Sequence, residues 1–311
     1  MLVGVRTARW LAAVVLAVML SACGGGESPE AKDEGSTVPS AAGNPVRTTT
    51  TLLTVREQTV QVSKVFWHAG FKVTVKSAAL TNGRSQYGGP AAPVVSIVAN
   101  FENVGTDRDR FDAETVLQSA GRNHFKPGDG QDVPEVPGGA NQDGTVVIVV
   151  DPTFRFDDAI LVVGKVDTNQ SKVPLGKAGA LVAFEPRPVP ITGRLSTVSF
   201  NIDLRGGELR ADDPVQHRQV PAGRLALKVN YTSALSGCQF INYKLSLVLP
   251  DGTTSANVDS GDFGKPDNFA TFLVSDRPAG AYTLNLEGEA KGSTGPRCPV
   301  TFSAHTGFNI A

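Results

Sequence analysis

The sequence predicts an all-β protein with two antiparallel β-sandwich domains. Apolar and polar residues alternate in many short segments, and no helical period of useful length is present. The 33 glycines and 20 prolines indicate frequent turns. A proline-rich stretch divides the strand segments into two groups. We therefore expect a leader at 1–22, a tether at 23–54, a first sandwich at 55–186, a hinge at 187–196 and a second sandwich at 197–311.

The N-terminus has the features of an export signal. Arg6 and Arg9 precede an apolar run from Trp10 to Leu20, which is too short for a stable membrane span. The run ends in Leu-Ser-Ala-Cys, which resembles the lipobox of bacterial lipoproteins. That resemblance implies cleavage before Cys23, a diacylglycerol on its thiol, and anchoring to the outer face of the cell membrane. The alternative is an ordinary secretory leader in which Cys23 has no role.

The segment after Cys23 is predicted to be a disordered tether. Residues 24–54 are rich in Gly, Pro and Thr and lack apolar periodicity. Loss of Arg6 and Arg9 with the leader lowers the basic residues from 29 to 27, against 30 acidic ones. This balance gives no basic footprint, so we do not expect nucleic acid as a partner.

The first sandwich is predicted from apolar strands separated by turn residues. Phe71, Val73 and Val75 alternate with polar residues, as in a strand with one solvent-exposed face. Turns rich in Gly, Asn and Asp separate the segments. The expected strands lie at 60–65, 71–75, 94–101, 145–150 and 160–163, and Leu181, Val182 and Phe184 are expected to close the sheet.

Part of this unit is similar to a known domain family. A valine-rich strand runs into Asn-Phe-Glu-Asn-Val-Gly at 100–105, followed by Phe111 and the segment 117–125. A second segment, 143–152, has a glycine before a strand and a proline after it. Together these segments resemble the immunoglobulin-like family DUF4352, whose members are common in secreted and lipid-anchored bacterial proteins. The resemblance implies an immunoglobulin-like fold and an extracellular location, and it supplies no catalytic residues.

A second immunoglobulin-like sandwich is predicted after the hinge. Alternating prolines at 186, 188 and 190 favour an extended, semi-rigid spacer. Beyond it, apolar residues again recur at every second position, in segments at 198–204, 225–231, 241–249, 269–273, 282–286 and 300–302. Tyr282 follows a glycine turn, where a tyrosine hydroxyl can bond to the backbone across a corner.

Two cysteines remain in the mature body of the protein. Cys238 and Cys298 lack Cys-x-x-Cys spacing and a neighbouring His, so a reactive or metal-binding pair is the weaker interpretation. Outside the cytoplasm, oxidation of such a pair is expected. We predict one disulfide, whose loop of about 60 residues would contribute about 4 kcal/mol.

The sequence gives no sign of catalytic chemistry. Its four histidines are scattered, and no zinc motif, nucleophile elbow or phosphate-binding loop is present. Both methionines belong to the leader, so a Met-rich copper site is excluded, whereas a copper site made only of His is left open. We therefore predict no enzyme activity, no cofactor and no resident metal.

Two acidic segments are the remaining candidates for a site. Carboxylates gathered in one turn can bind Ca²⁺ through oxygen ligands, and here they belong to Asp107, Asp109, Asp112 and Glu114. The calcium-loop spacing is missing, and arginines interleave, so a solvated loop is the favoured interpretation. A Pro- and Gly-rich stretch carries Asp129, Asp132 and Glu135, and it is the predicted contact loop because sandwiches bind through such loop ends.

We predict a lipid-anchored envelope protein that acts as a non-catalytic binding or adaptor module. Its expected partners are the membrane, through the lipid, and another envelope protein, a glycan or a small ligand. Exposed aromatic residues at loop ends, such as Phe125 or Phe154, would support this role. An accessory subunit or cryptic enzyme is the alternative, and it requires a pocket with Asp, His and Arg side chains pointing inward. A structural spacer is a third possibility.

Overall fold

The computed structural model describes residues 55–83, 92–125, 133–196, 200–235, 238–261, 268–292 and 301–311. Within these ranges the chain forms antiparallel β-strands and one short 3₁₀ helix at Phe156–Asp158, so the all-β prediction is confirmed. Residues 51–311 make one compact unit with two hydrophobic cores. We call residues 55–186 the N-terminal half and residues 187–311 the C-terminal half.

The N-terminal half has two four-stranded sheets around one core. The sheets are ordered β1-β2-β3-β8 and β10-β9-β5-β6, and β4 pairs separately with β7. Side chains from both sheets fill the core. The strands are β1 (Gln58–His68), β2 (Phe71–Asn82), β3 (Pro93–Asn103), β4 (Asp109–Arg110), β5 (Thr115–Ser119), β6 (Arg122–Phe125), β7 (Glu135–Val136), β8 (Asn141–Val149), β9 (Ile160–Val163) and β10 (Ser171–Pro174).

The period-two pattern of the sequence explains this core. In β3, buried and half-buried positions alternate without a break, and Val95, Ile97 and Phe101 are at most 1% exposed. Successive side chains of a strand point to opposite faces, so one set faces the core and the other faces solvent. The expected closing segment forms only a two-residue bridge, between Lys172 and Val182.

The C-terminal half forms one eight-stranded sheet rather than two separate layers. Its order is β11-β12-β15-β18-β17-β16-β19-β20, and a small hairpin, β13-β14, lies outside it. β17 pairs with strands on both sides, which joins the two layers expected of a sandwich. The end strands β11 and β20 lie against each other around the core. The strands are β11 (Arg187–Ser196), β12 (Phe200–Arg210), β13 (Asp212–Asp213), β14 (Arg218–Gln219), β15 (Arg224–Leu235), β16 (Cys238–Val248), β17 (Thr254–Ser260), β18 (Asn268–Ser275), β19 (Gly280–Gly292) and β20 (Thr301–Ile310).

The prediction of a proline-rich hinge at 187–196 is wrong, because this segment is strand β11. Val189, Ile191 and Leu195 are buried in the core of the C-terminal half. Pro188 and Pro190 are exposed, and β11 is hydrogen-bonded on one side only. Proline is tolerated in such an end strand because it removes no N–H from an interior ladder. The C-terminal half therefore begins at the strand that was expected to separate it from the first half.

The predicted tyrosine corner is confirmed. The hydroxyl of Tyr282 donates a buried hydrogen bond of 2.6 Å to the carbonyl of Pro278. Cys23, the leader and the tether lie outside the described residues, as does Cys298, so the lipid anchor and the disulfide stay predictions. Within the described ranges, no helix is long and apolar enough to span a membrane.

Candidate binding site at the junction of the two halves

Hydrogen bonds between backbone and side chains join the two halves. The amide of Ala69, in the turn between β1 and β2, donates to Oε1 of Gln219 at 3.0 Å. Nε2 of Gln219 donates back to the carbonyl of Asn169 at 2.7 Å, and the amide of Asn169 donates to the carbonyl of Val220 at 2.9 Å. These bonds connect the backbones of the two halves, directly at Asn169 and through the side chain of Gln219, so the halves meet in a defined arrangement.

A buried ion pair anchors the same junction. Asp212 is fully buried, and Nε of Arg210 lies 2.9 Å from its Oδ1. The other oxygen, Oδ2, accepts a 2.7 Å hydrogen bond from the amide of Gly70 in the N-terminal half. A buried carboxylate needs both a counter-charge and hydrogen bonds to offset its lost hydration. Asp212 receives the charge from its own half and one hydrogen bond from the other.

The ring of His217 fits into a slot of the N-terminal half. His217 lies between β13 and β14 and has φ of 46°. A Cβ on Gly70 would lie 3.0 Å from its Nδ1, and a Cβ on Gly105 would lie 2.9 Å from its Cε1. Nδ1 also lies 2.9 Å from Oδ2 of Asp109. Two glycines thus leave the space that this imidazole occupies beside a carboxylate.

A cavity of about 320 Å³ opens next to this slot. It combines aromatic rings with carboxylates, imidazoles and one guanidinium, and it takes residues from both halves. We call it the junction cavity, and its lining is His68, Ala69, Phe71, Asp109, Arg110, Phe111, Asp112 and His217. Asp112 is exposed, and no described residue forms a hydrogen bond or ion pair with its carboxylate. Its oxygens are therefore available to a ligand.

The two imidazoles of the junction cavity have buried ring nitrogens without hydrogen-bond partners among the described residues. His68 is 5% exposed, and its Nδ1 has no hydrogen-bond partner among the described residues. Burial lowers the pKa of His68 from 6.5 to about 4, although the nearby charge of Asp212 opposes the change. Nε2 of His217 is likewise buried, and no described residue accepts or donates a bond there. His68 is therefore neutral at pH 7. In a neutral imidazole, one ring nitrogen can donate a hydrogen bond and the other can accept one.

The structure shows where the four carboxylates of the acidic segment lie. Asp107 and Glu114 are exposed, whereas Asp109 is directed to the junction, where its Oδ1 accepts the amide of Arg110. Asp112 lines the junction cavity together with Asp109. Across the described residues, no three His, Cys, Asp or Glu side chains are grouped closely enough to hold a metal ion.

The predicted contact loop is only partly described. Asp129 and Asp132 lie outside the described residues, while Glu135 belongs to β7 and pairs with Arg110 of β4. Glu135 is thus part of a short ladder rather than a loop. Of the two aromatic residues expected at loop ends, Phe125 is 61% exposed and Phe154 is buried.

The sequence carries no signal for the residues that build the junction. His68 and His217 are two of four histidines scattered along the chain, and the structure brings both to one cavity. Asp212 and Gln219 carried no motif at all. The nearest local sign is Gly105, which lies in the bend that follows the end of β3 at Asn103. Contacts between residues about 150 positions apart leave no spacing pattern in a single sequence.

Comparison with known proteins leaves the family open. No family model and no curated protein matches the chain. A conserved hypothetical protein from Bacillus anthracis is similar at 16% identity and a TM-score of 0.28, over 38% of this chain and 98% of that one. A conserved domain protein from the same organism is similar at 11% identity and a TM-score of 0.28, over 81% of this chain and 90% of that one. The resemblance to DUF4352 remains a prediction.

Proposed function

We propose that the protein is a lipid-anchored, non-catalytic binding protein of the cell envelope, with the junction cavity as its ligand site. The observation that carries this proposal is that both halves line one cavity, with His68 and Asp112 from one half and His217 from the other. Ligand sites are commonly concave, lie between structural units and combine apolar walls with a few polar groups. A volume of about 320 Å³ is at the small end of such sites, so the proposed ligand is a small molecule or one residue of a glycan.

Binding is tested with the full-length protein and defined probes. We would titrate glucose, mannose, N-acetylglucosamine and the free amino acids, and follow binding by calorimetry. Asp112→Ala removes an exposed carboxylate at the cavity, and we expect it to weaken binding by about tenfold or more. Glu114→Ala is the matched control, because Glu114 is also an exposed acid of this segment but does not line the cavity. Equal binding by both variants, or no binding of any probe, would refute the proposal.

The anchoring part of the proposal has its own test. Cys23→Ala removes the thiol that would carry the lipid, so the variant should leave the membrane fraction while the wild-type protein stays there. A variant that still sediments with membranes would contradict lipid anchoring. The result is independent of ligand binding, because Cys23 lies far along the chain from the junction residues.

A hydrolase is the second candidate, favoured by one contact. Nδ1 of His217 lies 2.9 Å from Oδ2 of Asp109, a separation from which a carboxylate can orient an imidazole as a general base, although these two atoms do not meet hydrogen-bond geometry. Two features rank it second. Nε2 of His217 is closed to solvent, and the described lining of the cavity includes no Ser or Cys nucleophile. Hydrolysis of chromogenic esters or glycosides, lost in Asp109→Asn, would establish the enzyme and remove the non-catalytic proposal.

A further inference from the structure

The ends of the three larger sheets differ in how they are protected. An open strand edge presents unpaired N–H and C=O groups that can pair with another chain, and proteins normally block such edges. The edge of β10 is covered, because Lys172 exchanges two backbone hydrogen bonds with Val182. β6 has only four residues, which limits pairing. β11 and β20 lie against each other, with Gly193 placed close to Thr306.

The two ends of the remaining sheet are unlike each other. β1 is interrupted by a bulge between Gln61 and Lys64, where Ser63 has φ of 51°. Nζ of Lys64 donates to the carbonyl of Pro174, so a lysine also lies at this end. At the other end, β8 runs for nine residues in regular register with β3. No described residue is hydrogen-bonded to its outer side, although β6 of the other sheet lies close to β8.

The register identifies which groups of β8 face outward. The amide of Val150 donates to the carbonyl of Pro93, and the carbonyl of Ala140 accepts the amide of Asn103. Val150 and Ala140 flank β8, and both are even-numbered. In an antiparallel ladder every second residue of a strand bonds to the same neighbouring strand, so the even-numbered residues of β8 bond to β3. The odd-numbered residues of β8 therefore direct their N–H and C=O groups away from β3. These residues are Asn141, Asp143, Thr145, Val147 and Val149.

The outward-facing residues are suited to pairing with another strand. Thr145, Val147 and Val149 are β-branched, and Val149 is 41% exposed. The single charge among them, Asp143, is paired with Nζ of Lys76 at 2.6 Å on the face of the sheet. The described part of this edge thus has no proline, no bulge and no unpaired charge, which are the usual obstacles to pairing.

We propose that β8 pairs with β8 of a second copy of this chain, in antiparallel orientation, to form a dimer with a continuous eight-stranded sheet. A twofold axis at Val146 places Thr145 opposite Val147 and Asp143 opposite Val149 of the second copy. No like charges then face each other, and the outward residues of both strands meet, as an antiparallel ladder requires. The strand is self-complementary, which is the condition for an interface with twofold symmetry.

The test measures the mass of the full-length protein in mild detergent by light scattering and sedimentation equilibrium. Val147→Pro removes an outward N–H without removing a bond to β3, and we expect the dissociation constant to rise about tenfold or more. Thr145→Lys with Val147→Lys places lysines opposite each other, and we expect a monomer. Val166→Pro is the control, because Val166 is 87% exposed at a turn position that accepts proline.

The outcomes separate this proposal from the ligand site. A wild-type dimer that is retained in Val166→Pro and lost in the lysine variant, with unchanged far-UV circular dichroism, supports pairing through β8. A monomeric wild-type protein up to roughly 0.1 mM overturns it, since even a small interface should form at that concentration. So does a dimer that the lysine variant leaves intact. Binding at the junction cavity does not depend on either result.

Discussion

Acidification should destabilise the protein through His68. The folded state binds a proton at His68 only below pH about 4, whereas the unfolded chain does so below about 6.5. Between these values the unfolded state holds more protons, so stability falls as the pH falls. The contribution is complete above pH 6.5. About 2 kcal/mol is lost by pH 5, and about 3 kcal/mol by pH 4.

Several charged groups surround His68 and set the size of this effect. Asp212 favours the protonated imidazole, but its charge is already shared with Arg210. Asp109, Asp112 and Arg110 line the same cavity as His68. Burial therefore decides the direction of the change. A Cβ on Gly164 would lie 2.9 Å from Cε1 of His68, so the ring has little room to move toward water.

The assay is urea unfolding of the full-length protein at pH 7.5, 6, 5 and 4, compared with His68→Gln. Carboxylates add their own pH dependence to both proteins, so the difference between them isolates His68. We expect the difference in unfolding free energy to change by about 2 kcal/mol between pH 7.5 and 5. His305→Gln is the control, since His305 is exposed in β20. Parallel pH profiles for the wild type and His68→Gln would refute the reasoning.

Three further predictions follow from the packing. Gly105→Ala should destabilise the protein by about 1–3 kcal/mol in thermal unfolding, because the new Cβ would lie 2.9 Å from the ring of His217. Gly307→Ala is the control, because the atom nearest to its new Cβ would be 3.7 Å away. Tyr282→Phe should cost about 1–1.5 kcal/mol in urea unfolding, since it leaves the buried carbonyl of residue 278 without its donor; an unchanged midpoint would contradict the corner. Arg210→Met should cost about 3–5 kcal/mol in urea unfolding at pH 7, because it leaves the buried carboxylate of Asp212 without its counter-charge; an unchanged midpoint would contradict this.

Local pattern was sufficient to predict most strands but not their assembly. The segment 94–101 alternates without interruption, and it forms the inner strand β3. β17 was missed because its apolar residues are few: only Ala256 and Val258 occur among seven residues, and both are exposed. At β11 the proline content of the segment indicates a spacer, and that prediction is wrong. There the alternation of Val189 and Ile191 with prolines was the better guide, because an end strand accepts proline on its open side.

The candidate site could not be predicted from the sequence, for a different reason. Asp109 and Asp112 were singled out, but as members of an acidic cluster, because carboxylates near in sequence suggest a shared ion. Their environment depends on His217 and on the glycine slot, which the chain brings together only through the packing of the two halves. Such long-range contacts are encoded by shape and burial, which a single sequence does not display.

The loss of the hinge changes what the proposed binding protein can do. With a flexible spacer at 187–196, the two halves would move independently, and a cavity lined by His68 and His217 would not persist. Because β11 is a strand and Asp212 bonds to Gly70, opening the cavity requires breaking a buried charge-assisted contact. The proposed ligand site would therefore be pre-organised, which would leave little ordering cost for binding. The predicted tether, rather than an internal joint, would supply the reach of an anchored protein, and its length would not alter affinity at the cavity.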